Sequence, residues 1–546
     1  MKSVTKVLLS RTSRNNGGPQ PSAALLTCLA LLAGTASGQT LTRADLLKGL
    51  AGGWPTYNGD YSGRRYSPLD QINASNVHTL SLAWMTRFTA DYGGVQIKST
   101  PLMVKGILYF TAPNSVWAAD ARTGRQIWHY QYPQNTGSTI GNRGVGMYGD
   151  WLFFESPDSH LISLDAKTGQ ERWRIEIADP KLDYTSTVAP VIVGNHVLVG
   201  IGGDHLDNPG FLESRDPETG ALQWKWWTTP RKGEPGIETW PGEQAAIHGT
   251  GQTWIPGTYD PELNLYYIGT GNPNPVLAGQ GRKGDNLYTC SIVALNPDTG
   301  KMVWYYQVNP HDTHDWDAVQ TPVLIDGVID GRPRKLLAQA SRNGYFFVLD
   351  RTNGQHVLTR PYIASINWSK GINAKGQPVP NPDKEPRTDG VLVSPAEGGG
   401  TNWPAPSFSP DTGLFYVGTT SGYALYYVTD DDDFPVGWGG RDIAVGSDGS
   451  ALIAIDYRSG KIVWRHEWPG GGGPSHILTT AGRLLFTHNQ NYLIAFDPGQ
   501  GRILWHAGLA AAPTAGPMTY LLDGKQYLVV TAGDSLYTFT VNRPAN

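Results

Sequence analysis

The chain has 546 residues, with 43 Lys and Arg against 47 Asp and Glu and a net charge of −4. That balance gives no electrostatic reason to expect nucleic acid as a partner, and no stretch reads as an acidic tail or basic arm. Only 16% of residues are charged, whereas 67 are Gly, 39 Pro and 19 Trp, a composition that suits a turn-rich, all-β protein.

In chain order, residues 1–38 come first and have the layout of an export signal. Lys2, Lys6, Arg11 and Arg14 supply positive charge, Ala23 to Ala33 form an apolar core, and Ala36-Ser37-Gly38 offer small residues for cleavage. The apolar run is too short to span a bilayer as a helix. Cys28 lies inside it, in a context that fits a lipoprotein cleavage site poorly; an uncut anchor is the alternative. No later segment is long and apolar enough to cross a membrane, so residues 39–546 are expected as an exported, periplasmic domain. Only Cys28 and Cys290 occur; after cleavage no intramolecular disulfide can form, and neither CxxCH nor paired CxxC is present for covalent haem or a Cys-based zinc site.

Beyond the signal, one pattern recurs: Asp or Asn, Gly four positions later, and a large apolar residue eight positions later. It runs from Asp120 to Trp128, Asp165 to Trp173, Asp216 to Trp224, Asn296 to Trp304, Asp350 to Leu358, Asp456 to Trp464 and Asp497 to Trp505. Residues before each Asp alternate in polarity, as in His160-Leu161-Ile162-Ser163-Leu164, which is strand period. Asp with Thr-Gly makes a tight turn, and the following strand carries the Trp inward. Upstream of most copies lies an apolar hairpin such as PLMVKGILYF or PVIVGNHVLV. Four strands ending in a docking Trp make one blade of a β-propeller. Seven copies are clear, and SLAWMTRF with Trp84 is an eighth that would pair with the last. The expectation is an eight-bladed β-propeller; a six- or seven-bladed ring with decayed motifs is the alternative. Two spacings stand out, 80 residues from Asp216 to Asn296 and 106 from Asp350 to Asp456, and are expected to hold long loops, where sites usually lie.

The motifs in these stretches carry the functional reading. They include GTGQTWIPGTYDPELNLYYIGTGNP, DNLYTCSIVALNPDTGKMVWYYQVNPHDTHDWDAVQTPVL and QASRNGYFFVLDRTNG, with GWPTYNGDYSGRRYSPLDQINASNV near the start. In order and spacing they resemble the quinoprotein methanol and ethanol dehydrogenases, over nearly the whole chain after the signal. That resemblance implies alcohol oxidation to aldehyde with pyrroloquinoline quinone (PQQ) and a bound cation, with electrons leaving to a separate periplasmic c-type cytochrome, since no haem domain follows. It matches Trp254 to the indole platform for the cofactor, although a Trp can equally serve a blade core. It matches Asn272 to an amide metal ligand, although an Asn between Gly and Pro is also a common turn residue. It matches Asp315 to the base and a metal ligand, and Asp317 to the further carboxylate that accompanies lanthanide rather than calcium use; a trivalent ion favours more anionic oxygens. Asp317 facing solvent is the plainer alternative. The acidic ligand in the third-blade loop falls on Asp204, with Asp207 as the other choice, where the family has Glu. Arg143, Thr187, Asn402 and Trp403 match cofactor contacts. Arg342 matches the basic residue at the quinone oxygens. The family's vicinal disulfide is missing, Gln134 to Thr139 occupying that stretch, and Lys98 stands where the family has Glu, either meeting a cofactor carboxylate or pointing outward. Two rivals remain in view: a non-catalytic periplasmic scaffold, and a hydrolase using His311 and His314 on zinc. A sugar-type substrate is a variant of the first reading.

Overall fold

The computed structural model describes residues 41–49, 52–90, 95–133, 141–182, 184–202, 207–429 and 437–541. The expected signal, Asp204 and the Gln134–Thr139 stretch lie outside these residues. Strands dominate, and among the described residues eight sheets of four or five strands follow one another along the chain, antiparallel except where Tyr66–Ser67 pairs parallel with Leu478–Thr480. The first is formed by Leu102–Val104, Ile107–Ala112, Ser115–Asp120 and Gln126–Gln131. The second to fifth repeat that four-strand meander, each next to its predecessor in sequence. In the last sheet Met518–Leu522, Lys525–Ala532 and Ser535–Val541 are joined by Leu80–Arg87 from the other end of the chain, with Trp84 opposite Thr538. Sheets following a meander with short turns, none rolled into a closed barrel, are the architecture of a β-propeller.

The turn chemistry explains the repeat. In the second sheet the Asp165 carboxylate accepts from the Lys167 and Thr168 amides at 3.0 and 2.7 Å and from the Thr168 hydroxyl at 2.8 Å. The same pattern recurs at Asp216 and Asn296. The Gly closing the turn takes a positive φ, +67° at Gly300, and a Cβ there would lie 2.5 Å from the Trp224 ring. The glycine is thus required twice, by its backbone angle and by the indole resting on it. Trp224 also donates its Nε1–H to the Pro297 carbonyl at 2.7 Å. Trp128, Trp173, Trp304 and Trp464 make the equivalent bond to the turn of the next sheet.

The 106-residue spacing holds more than loops. Strands Leu414–Val428 and Gly440–Asp456 pair over most of their length, and Ser369–Ile372 with Pro378–Pro380 makes a small separate sheet. The first half of Gly440–Asp456 is largely exposed, whereas the strand it pairs with keeps Ala424 and Tyr426 buried and pairs on its other side with Val391–Val393. Among the described residues no helix is long and apolar enough to cross a membrane.

Candidate active site

The residues singled out from the sequence sit on loops that leave the ends of adjacent sheets. Close backbone approach holds these loops together. Gly251 N–H donates to the Asn272 carbonyl at 3.0 Å, and Gly271 N–H to the Gln252 carbonyl at 2.8 Å. The segment carrying Asp317 lies so near that a Cβ on Gly269 would meet the Ala318 carbonyl oxygen at 1.9 Å, and one on Gly271 the Asp317 carboxylate at 2.8 Å. The glycines of the GTGNP motif therefore exist to let the Asp317 segment in.

Asp315 and Asp317 do converge, though not as alternate residues of a regular strand. Asp315 has a left-handed backbone, φ +65°, and the segment from Asp312 to Val319 forms no strand. This kink turns both carboxylates toward Arg342, whose Nη1 lies 2.8 Å from Asp317 and whose Nη2 lies 3.1 Å from Asp315. Asp317 also accepts from the Asn272 backbone N–H at 2.7 Å and from the Trp254 indole N–H at 3.0 Å. Asn272, Trp254, Asp315, Asp317 and Arg342 thus form one contact cluster, and all but the half-buried Trp254 are at most 5% exposed.

A third acid, absent from the sequence reading, completes the ring around Arg342. Glu397 accepts from Nη2 at 2.6 Å and contributes its backbone carbonyl at 2.8 Å. Its side chain is 35% exposed against 2–6% for Asp317 and Asp315. Burial acts to raise the Glu397 carboxyl, but the Arg342 charge and hydrogen bonds shared with Asp315 and Arg342 outweigh it and hold the group below its ordinary range. No local motif marks Glu397; its contact with Arg342 spans 55 positions.

The second group of residues lies around Arg143. Its guanidinium stands over the Trp254 ring at 4.8 Å and the Trp403 ring at 5.1 Å, so it sits between two indoles. Nη1 donates to the Thr187 carbonyl at 3.2 Å and to the Thr187 hydroxyl. Asn402 turns inward on its own loop, donating to Gly398 O at 3.1 Å and accepting from the Trp403 N–H at 2.8 Å. His476, unnoticed in the sequence, packs edge-on to Trp403 at 4.7 Å; its Nδ1 accepts from the Ala405 N–H. Asp207 lies apart: it is exposed and pairs with His248 at 3.2 Å.

The histidines of HDTHDWD do not converge. His311 and His314 bond separate backbone carbonyls, Gly284 at 2.8 Å and Lys384 at 3.0 Å, and His314 stacks on Trp316 at 4.4 Å. Among the described residues no three His, Cys, Asp or Glu side chains cluster as a metal site, which leaves the zinc hydrolase reading without a centre. The donor set near Arg342 suits a different cation. Asp315 and Asp317 offer hard carboxylate oxygens beside Asn272, whose backbone N–H donates to Asp317, and this oxygen chemistry fits a hard cation rather than zinc.

Comparison with known proteins bears on the same region. Residues 54–386 match the family described as "PQQ: Glucose/ethanol/alcohol dehydrogenase, beta-propeller domain". Residues 431–543 match one described as outer membrane protein assembly factor BamB. The chain is 35% identical to the quinoprotein alcohol dehydrogenase PedH of Pseudomonas putida, over 86% of this chain and 84% of that one. It is 33% identical to the 1-butanol dehydrogenase (cytochrome c) of Thauera butanivorans, over 88% and 75%. Its structure resembles that of a europium-containing methanol dehydrogenase with a TM-score of 0.83 and 30% identity, covering 91% of this chain and all of that one.

Proposed function

The chain belongs to the PQQ-dependent alcohol dehydrogenases, and on that premise we propose that it oxidises an alcohol to the aldehyde in the periplasm and passes the electrons to a separate c-type cytochrome. The observation that carries this is the convergence of Asp315 and Asp317 on Arg342, beside Asn272 and Trp254. Bound PQQ supplies the two-electron acceptor, and a bound cation supplies Lewis acidity.

The chain's own residues do the rest. Trp254 offers a flat face, with Arg143, Thr187, Asn402 and Trp403 around it to hold the cofactor. Asn272, Asp315 and Asp317 hold the cation, with Asp204 as the further ligand. Asp315 takes the proton of the alcohol hydroxyl as general base. Arg342 donates to Asp315 and so fixes the orientation of that base, while its other arm holds Asp317. Catalysis at this site is mainly placement: a base, a cation seat and a flat platform are brought within one cluster before substrate arrives.

Asp317 favours a lanthanide over calcium, because it adds an anionic oxygen to the set; the structural likeness to a europium-containing methanol dehydrogenase supports this. The 1-butanol dehydrogenase (cytochrome c) among the relatives supports the choice of acceptor. Residues 1–38 are read as a cleaved signal on their basic, apolar and small-residue layout. The eight larger sheets are read as eight blades, five of them docked to the next by the Trp-to-turn contacts described above.

The test is dye reduction by apoprotein loaded with PQQ and either calcium or lanthanum, over a panel of alcohols. Activity with lanthanum alone supports Asp317 as a ligand. Activity with calcium alone keeps the reaction and removes that role from Asp317. Silence with both metals, with no PQQ bound, turns the reading to a non-catalytic scaffold.

A further inference from the structure

Lys98 stands where the resemblance places a Glu. Its backbone is tied on both sides. Ile97 donates to Gly533 O at 2.9 Å and accepts from the Thr514 hydroxyl at 2.5 Å. Ser99 exchanges bonds with Thr111 at 2.8 and 2.9 Å. Ile97 and Ser99 are fully buried, so the half-buried Lys98 side chain leaves a fixed point. Its stem lies along Gly141, where a Cβ would stand 2.6 Å from the lysine Cδ. Gly141, with φ +124°, thus makes room for the stem.

Two residues beyond Gly141 is Arg143. The two cations are near enough that burial, and then the Arg143 charge, lowers the Lys98 ammonium from its ordinary range. Two positive side chains held side by side make a local positive potential, which draws an anionic ligand. Arg143 lies between the Trp254 and Trp403 rings. Paired cations beside flat indole faces suit a flat aromatic ligand that carries more than one carboxylate.

We propose that Lys98 and Arg143 form a paired-cation seat for the carboxylates of the cofactor, which makes Lys98 a cofactor-binding residue of this chain. The proposal rests on the reading of the site as a PQQ site. It differs from that reading in assigning a second positive charge where the family has a negative one.

The experiment is titration of the apoprotein, with lanthanum in one series and calcium in another, by PQQ and separately by its trimethyl ester, followed by quenching of tryptophan fluorescence. K98M is expected to bind PQQ at least about tenfold more weakly than the wild type, and K98E more weakly still. The ester, which lacks the anions, is expected to bind wild type and K98M alike. K98R keeps the charge and is expected to stay within about threefold of the wild type; it also guards against a loss due to misfolding. PQQ binding by K98M within about twofold of the wild type overturns the seat and leaves the PQQ reading intact. An equal loss for the ester, or K98R as weak as K98M, overturns it too. Failure of the wild type to bind PQQ with either metal overturns both.

Discussion

Asp315 stands at the point where backbone and charge meet. Its left-handed φ of +65° is uncommon for a residue with a side chain, and it places the carboxylate on Arg342 rather than along the chain. Asp315→Asn keeps the shape and the Arg342 contact through the remaining carbonyl oxygen but cannot accept the hydroxyl proton. Turnover is expected to fall by a factor of about 10³ or more, while PQQ absorbance stays with the protein. Dye reduction and the visible spectrum of the purified variant check both halves, and retained turnover removes Asp315 as the base. The sequence leads to Asp315, Asp317, Asn272, Trp254 and Arg342 because each lies inside a distinctive motif. Glu397 was illegible because its neighbours Ala396 and Gly398 have no chemistry of their own, and its meaning comes only from the Arg342 side chain that folding brings to it. Residues two apart on an extended segment point the same way, but Asp315 and Asp317 converge through a kink at Asp315 instead.

Among the repeated elements, the Asp-Thr-Gly turn was legible because every requirement is local. The carboxylate caps the turn amides, the glycine takes the positive φ, and the Trp follows at fixed distance. Less legible is the length of Leu414–Val428 and Gly440–Asp456, since the first half of the second strand is largely exposed and has little burial pattern to reveal it. The Trp contacts carry a stability prediction. Trp224 rests on Gly300 and bonds Pro297, joining its own sheet to the next turn. Trp224→Ala is expected to destabilise the fold by about 3 kcal/mol, from lost burial and the cavity left behind. Urea unfolding measures it. A change below about 0.5 kcal/mol would mean that the turn closes without the indole.

The molecule as a whole has a pH signature written by its buried groups. Burial pushes the His314 imidazole down to about 4, so it stays neutral in the folded protein across a range in which the unfolded chain takes up a proton. A depressed His makes its full contribution above the unfolded value near 6.5. The contribution is lost as pH falls from there to about 4, because protons then favour the unfolded state. His488, also lowered to about 4 by burial, adds to the same loss. For His314 alone the window amounts to about 3 kcal/mol. His314→Gln should therefore be less stable than wild type at pH 7, having lost its stacking on Trp316, yet lose about 3 kcal/mol less between pH 7 and pH 4. Urea titrations at the two pH values give both numbers; parallel losses in the two proteins would mean that His314 charges freely in the fold. Glu155 acts in the opposite sense. It is fully buried, and burial first and the Glu213 charge second raise its carboxyl well above the ordinary value. Its contribution is complete below about pH 4.5 and declines as pH rises toward the elevated folded value. Glu155→Gln removes the ionisation and keeps a polar oxygen for the Ser186 hydroxyl, so the variant is expected to gain stability over wild type at pH 8 and to lose that advantage at pH 4. A variant less stable than wild type at pH 8 would mean that Glu155 is ionised in the fold and held by a bond that the amide cannot replace.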